Sequence, residues 1–186
     1  GYDSTSGTKA TDLGYKGNTT INDCVLITDL TGLNAMTDGE NYILGADIDA
    51  SSGYTPKQGN NKTGNIFDGA GFTISGITVN QAGTQYTGGL FTRTNGDYIR
   101  NVTLNNLTVA GGKVTGGVIG EATDTTITNV KITGTSSVTG TGQNVGGFVG
   151  TMKGGSINDS YNLASVTGTN YVGGIAGYTQ NEAKIN

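Results

Sequence analysis

Histidine is absent from the 186 residues. That removes the usual general base, the commonest zinc ligand and every Ser-His-Asp or Cys-His nucleophile pair. Carboxylates are what remains for acid–base work. Asp47 and Asp49 stand at i and i+2, so a strand would place them on one face, where they could act as acid and base or ligate calcium. Asp68 is the one plausible third member. Calcium takes roughly six or more oxygen ligands, and the glycine-rich nonapeptide repeat that supplies them in calcium-binding β-rolls is missing. A solvated strand end is the plainer reading of the pair. No catalytic, cofactor-binding or metal-ligating residue is therefore assigned. Cys24, the lone cysteine, precedes Val25, Leu26 and Ile27 and reads as a small buried hydrophobe.

Other residue types could bind rather than react. Tyr86, Tyr98, Tyr161, Tyr171 and Tyr178 fall near the edges of a repeat and could form a carbohydrate-stacking surface. Tyrosine also covers strand edges with its hydroxyl in water, so packing is the simpler account. A flat threonine ladder of the ice-binding kind needs one register in every repeat. Thr126 and Thr128, however, correspond to Tyr98 and Arg100 in one direction and to Ser156 and Asn158 in the other, so β propensity explains the threonines better. Asn18, Asn61, Asn101 and Asn106 begin Asn-x-Thr sequons, which matter in a host that glycosylates them. With net charge −4 and 10 Lys and Arg scattered from Lys9 to Lys184, nucleic acid is discarded as a partner. No apolar run approaches the ~20 residues of a membrane span, and the first residues, GYDSTSGTKA, do not read as a signal peptide.

The elements that must carry these residues follow from composition and repeats. Glycine supplies 34 of 186 residues, proline 1, and charged residues only 13% where roughly 25% is normal. There is no Gly-X-Y period, and Val, Ile and Leu recur regularly. The expectation is a β-rich, turn-dense repeat. Four glycine pairs, Gly88-Gly89, Gly116-Gly117, Gly146-Gly147 and Gly173-Gly174, recur at intervals of 28, 30 and 27 residues by subtraction. Ile99, Ile127, Ile157 and Ile185 keep the same phase, with Ile74 a looser forerunner.

Around each isoleucine the apolar positions fall at i, i+3 and i+5: Ile74, Ile77, Val79; Ile99, Val102, Leu104; Ile127, Val130, Ile132. A plain strand would give i, i+2, i+4. The break demands a corner, and the residue two past the isoleucine is Gly76, Asn101, Asn129 or Asp159, types that tolerate a left-handed backbone. Stacked corners would form a ladder of Asn amides. The glycine pairs suit a close approach between coils. A third strand is read at Leu107 and Val109, Val138 and Val166. Three short strands per coil of about 28 residues, aliphatic side inward, make an all-β parallel β-helix, in which no coil is stable alone. Ile27, Leu30, Leu33 and Met36 are spaced for one short helix capped by Asp29 or Thr28. The organisation is a polar lead-in over 1–19, first coils with that helix and a long loop (51–65) over 20–80, and regular coils of the same solenoid over 81–186.

From YILGADIDAS through FDGAGFTISGITVN, YTGGLF and IRNVTLNNLTV to NVGGFVGTMKGGSINDSYNLASVTGTNYVGGIAG, the chain resembles the GLUG-motif modules of large bacterial surface proteins, chiefly filamentous-haemagglutinin-type adhesins. Similar modules accompany streptococcal-type IgA-cleaving metallopeptidases. Thr92 departs from the pattern, standing where Gly120 and Gly150 stand. The resemblance implies a right-handed parallel β-helix that serves as a non-enzymatic stalk or adhesive segment, secreted or on the bacterial cell surface. It implies a receptor or glycan of a host or neighbouring cell as partner, and no catalytic residues. Ile185-Asn186 matches Ile157-Asn158, so further coils of a parent protein are expected to follow. Two rivals remain: a β-helix carbohydrate-active enzyme using Asp47, Asp49 and Asp68, and an accessory module of a surface metallopeptidase.

Overall fold

The isoleucine series stacks in one parallel register. Ile99 lies beside Ile127, Ile127 beside Ile157, and Ile157 beside Ile185. Ile99, Ile127 and Ile157 are each buried to within 2% of full exclusion from solvent. The computed structural model describes residues 24–58 and 64–186; the lead-in over 1–19 and the sequons at Asn18 and Asn61 lie outside the described residues. Among those described, all strand pairing is parallel, and the chain winds as a β-solenoid whose neighbouring coils, from Ile66 onward, are 27 to 32 residues apart in register.

Each coil holds four strands rather than the expected three. One turn runs through Tyr98–Asn105, Thr108–Gly111, Val114–Gly116 and Ile119–Thr123, and each strand pairs with its counterpart a coil away to build four sheets. The expectation counted the two halves of Tyr98–Asn105 as separate strands, added the one at Leu107 and Val109, and read the glycine pair as a close approach, so it left out the two strands that only Gly117 and Val118 separate. The first strand is bent inside its length at Asn101, Asn129 or Asp159, whose φ angles are 55°, 53° and 49°. The expected amide ladder exists over part of this corner: Asn129 Nδ2 donates to Asn101 Oδ1 at 3.0 Å, and Asn101 Nδ2 donates to Asp68 Oδ1 at 3.2 Å. At Asp159 the column changes chemistry, since a carboxylate has no N–H to pass on.

Ile74 is not the forerunner of Ile99. It pairs with Leu104, while Phe67 occupies the position beside Ile99. Gly76 (φ 75°) accordingly belongs to a second corner with Asn106 (φ 53°) and Gly134 (φ 68°). The two corners share one apolar spacing, because Leu104, Leu107 and Val109 also fall at i, i+3 and i+5. Between Asp68 and Thr73 the chain carries two extra residues compared with Arg100 to Thr103, and that insertion shifted the phase.

The helix forms at Leu30–Asn34, with Asp29 as its cap accepting from Gly32 N at 2.8 Å. Leu33 and Met36 plug one side of the core. That core is continuous from Ile27 to Ile157 and almost wholly aliphatic. Cys24 is buried, as its apolar neighbours suggest.

Candidate functional site

The glycine pairs shape the one edge where several candidate residues meet. A Cβ on the first glycine of a pair would fall on the carbonyl three residues on: Phe91 for Gly88, Ile119 for Gly116, Val149 for Gly146 and Ala176 for Gly173. The second glycine faces the next coil instead, Gly89 against the carbonyl of Gly117, Gly117 against Gly147, and Gly147 against Gly174. The chain can therefore fold back tightly at each pair. A Cβ on Gly150 would sit 2.7 Å from the backbone nitrogen of Thr115, so the third and fourth sheets lie nearly backbone to backbone. Behind this hook Leu90, Val118 and Phe148 fill the core. Thr92 is accommodated because its coil faces the short strand Lys57–Gln58, whose carbonyl at Lys57 its hydroxyl reaches at 3.4 Å.

The fold-back sets side chains seven residues apart next to each other on the outer edge. Arg93 lies over the Tyr86 ring at 4.9 Å. One coil on, the corresponding pair is Val114 and Glu121; then Asn144 and Thr151, bonded at 2.8 Å; then Tyr171 and Tyr178, with ring centroids 5.8 Å apart. Glu121 is nearly buried between two cations, Arg93 Nη2 at 3.3 Å and Lys153 Nζ at 2.7 Å.

Of the five tyrosines, then, Tyr86, Tyr171 and Tyr178 share this edge. Tyr98 and Tyr161 do not join them: both project from the first sheet, Tyr98 in the column of Thr126 and Tyr161 beside Lys131. The threonine register fails as the sequence indicates, with Tyr98 and Arg100 against Thr126 and Thr128.

The three aspartates are occupied by structural work. Asp68 is fully buried, accepting from Arg100 Nε at 2.8 Å, Asn101 Nδ2 and the Ala70 amide. Asp47 accepts from Thr73 N at 2.7 Å, and Asp49 accepts from Ser51 N at 2.9 Å; the Ser51 hydroxyl first and its amide second lower the Asp49 pKa. Sequence reasoning missed Asp97. It is 7% exposed, accepts from the amides of Asn65 and Asn95, and lines a cavity of about 40 Å³ with Met36, Phe67 and Tyr98. Burial raises its pKa, with Asp38 adding to the effect.

A groove of about 610 Å³ borders the tyrosine edge, lined by Gln85, Lys113 and Gln143 over a floor that includes Gly83 and Gly142. These residues also escaped the sequence reading, although 85, 113 and 143 repeat at the spacing of the glycine pairs. Among the described residues no group of three or more Cys, Asp and Glu side chains could hold a metal ion, and no helix is long and apolar enough to cross a membrane.

No family model matches the chain. A stretch of halomucin from Haloquadratum walsbyi is 34% identical over 191 residues. The match takes in 92% of this chain but spans only 2% of the length of halomucin. Among solved structures, a Bacteroides ovatus protein provisionally assigned as an immunoglobulin A1 protease superposes with a TM-score of 0.57 at 20% identity. That match covers 91% of this chain and 66% of the other, and at this identity it shows the shared solenoid fold alone.

Proposed function

We propose that this chain is a non-enzymatic stalk and adhesive segment of a secreted or cell-surface bacterial protein, built from GLUG-type coils. The observation that carries the reading is the division of labour in the solenoid. Inward positions form one aliphatic core, backbone groups are spent on parallel ladders along the axis, and chemically varied side chains are confined to the outer columns. Such an array is stiff along its axis and free to vary on its surface. Halomucin supports an extracellular setting through its name, that of a mucin. The Bacteroides ovatus protein supports it through the secreted immunoglobulin it is named for.

The test is display of the chain on a non-adherent bacterium, scored for attachment to epithelial cells and to neighbouring bacteria. Attachment above that of cells displaying an unrelated solenoid is expected; equal attachment refutes the adhesive role. Hydrolysis of an acidic glycan that is lost when Asp47, Asp49 and Asp68 are changed to Asn would refute the non-enzymatic one.

A second reading, an accessory module of a surface metallopeptidase, is favoured by the fold likeness to the Bacteroides ovatus protein. A His-Glu-x-x-His zinc motif elsewhere on the parent polypeptide decides for it.

A further inference from the structure

The groove beside the tyrosine edge exists because of what its floor lacks. Gly142 lies so close to the Lys113 backbone that a Cβ there would overlap it, and Gly83 projects nothing. The walls are therefore made by side chains of successive coils. Lys113 is exposed and sits between Gln85 and Gln143 in register, since Val114 N donates to Gln85 O and Asn144 N donates to Lys113 O. With coils spaced at about 4.8 Å, the two glutamines stand roughly 10 Å apart with the ammonium between them. The Gln85 amide donates to the Tyr86 hydroxyl at 3.0 Å, and Arg93 lies over the same ring, so one wall of the groove is tied to an ordered neighbour.

The charges on this edge run against those of the whole chain. Its columns hold Arg93, Lys113 and Lys153 against one carboxylate among the described residues, Glu121, which is already engaged by Arg93 and Lys153. Three cations less one anion leaves +2, on a chain of net charge −4. Amide donors and acceptors suit sugar hydroxyls, and Lys113, which takes part in none of the ion pairs among the described residues, suits a carboxylate. The groove volume also falls within the usual range for ligand sites.

We propose that this groove is a binding site for a carboxylate-bearing glycan, with Lys113 taking the carboxylate and Gln85 and Gln143 the hydroxyls. The assignment rests on the adhesive reading and names the class of ligand for it.

Calorimetric titration of the purified chain with oligoglucuronate and with the matching neutral oligoglucose tests the site. Binding is expected for the acidic oligomer only, weakening with added salt. Lys113→Gln should lose affinity about tenfold, the scale of one charge-assisted hydrogen bond, and Gln143→Ala several-fold. Lys131→Gln, on the first sheet, should bind as the wild type does. The proposal is overturned if neither oligomer binds, if both bind equally, or if Lys131→Gln weakens binding as much as Lys113→Gln; circular dichroism checks that each variant is folded. Acidic binding in solution without cell attachment would remove the adhesive reading and leave the groove. Full attachment by cells displaying Lys113→Gln would leave adhesion and remove the groove from it.

Discussion

Replacing Gly117 and Gly174 by alanine should give opposite results, although the two occupy the same place in the repeat. A Cβ on Gly117 would fall on the carbonyl of Gly147 and come to 2.9 Å from Ile132 Cδ1 and 3.1 Å from Val138 Cγ2. The two side chains can rotate, but the carbonyl belongs to a ladder and cannot, so the cost lies near the top of the usual overpacking range, about 3 kcal/mol. Alanine also restricts the unfolded chain, which returns about 0.4–1 kcal/mol. The net loss is then about 2–3 kcal/mol, a fall in melting temperature of roughly 4–12 °C for a chain of this length.

In a polypeptide of these 186 residues alone, a Cβ at Gly174 would meet nothing within 4 Å, since no later coil of that polypeptide stacks on it. Only the unfolded-state effect remains, so Gly174→Ala should be neutral or stabilise by up to about 1 kcal/mol. Gly173→Ala serves as the control within that coil, because its Cβ would fall on the carbonyl of Ala176; it should lose stability, and that loss shows that the coil is closed in the assay, since a coil that opened locally would escape the clash. The assay is thermal denaturation followed by circular dichroism, repeated in urea. Equal losses at Gly117 and Gly174 would refute the reasoning, since the pairs would then be required for backbone freedom and not for the approach of neighbouring coils.

Three further outcomes follow from named contacts. Asn129→Gly keeps the left-handed corner (φ 53°) but loses the amide bond to Asn101, costing about 0.5–1.5 kcal/mol; Asn129→Ala adds the left-handed penalty of about 1–2 kcal/mol, and urea titration separates the two. Asp68→Asn removes the charge that faces the largely buried Arg100, with an expected loss of about 3–5 kcal/mol by the same titration. Burial raises the Asp97 pKa above its ordinary 3.8, so its protonated form favours the native state. Its contribution is full below the unfolded value and is lost as pH rises through the raised one. The melting temperature of Asp97→Asn relative to wild type should therefore climb with pH across the carboxylate range, and a flat or falling difference would contradict the burial argument.

The features that repeat were legible in the sequence, and those that occur once were not. Ile99, Ile127 and Ile157 announce their stacking because a coil of constant length turns a sequence interval into a spatial column. The corner at Asn101 and Asn129 was readable for a chemical reason, since few residues accept positive φ. Ile74 misled because both corners impose the same i, i+3, i+5 spacing, so an insertion of two residues slides one pattern onto the other. The glycine pairs signalled close approach without revealing that their members face different neighbours, one its own coil and one the next. Asp68 and Arg100 are ordinary polar residues until register places them 2.8 Å apart. Gln85 and Gln143 repeat one type with Lys113 between them, so no run of identical residues marks the column, and the interval common to the glycine pairs is what links its members.

That contrast bears on where function can sit in a solenoid. A residue type repeated in every coil satisfies its own copies, as Asn129 does with Asn101, and leaves little bonding capacity for a ligand. A position that varies from coil to coil has no such partner. In the column of Gln85, Lys113 and Gln143 the lysine separates the two glutamines, so neither amide has its own copy in the adjacent coil, and these groups look to a neighbouring column, as Gln85 does to Tyr86, or outward. The same logic explains why Glu121 is a poor candidate for binding although it also varies: Arg93 and Lys153 from the coils on either side already close around it. Recognition in this chain should therefore track the variable columns whose side chains remain unmatched, and Lys113 is the charged residue that meets that condition at the groove.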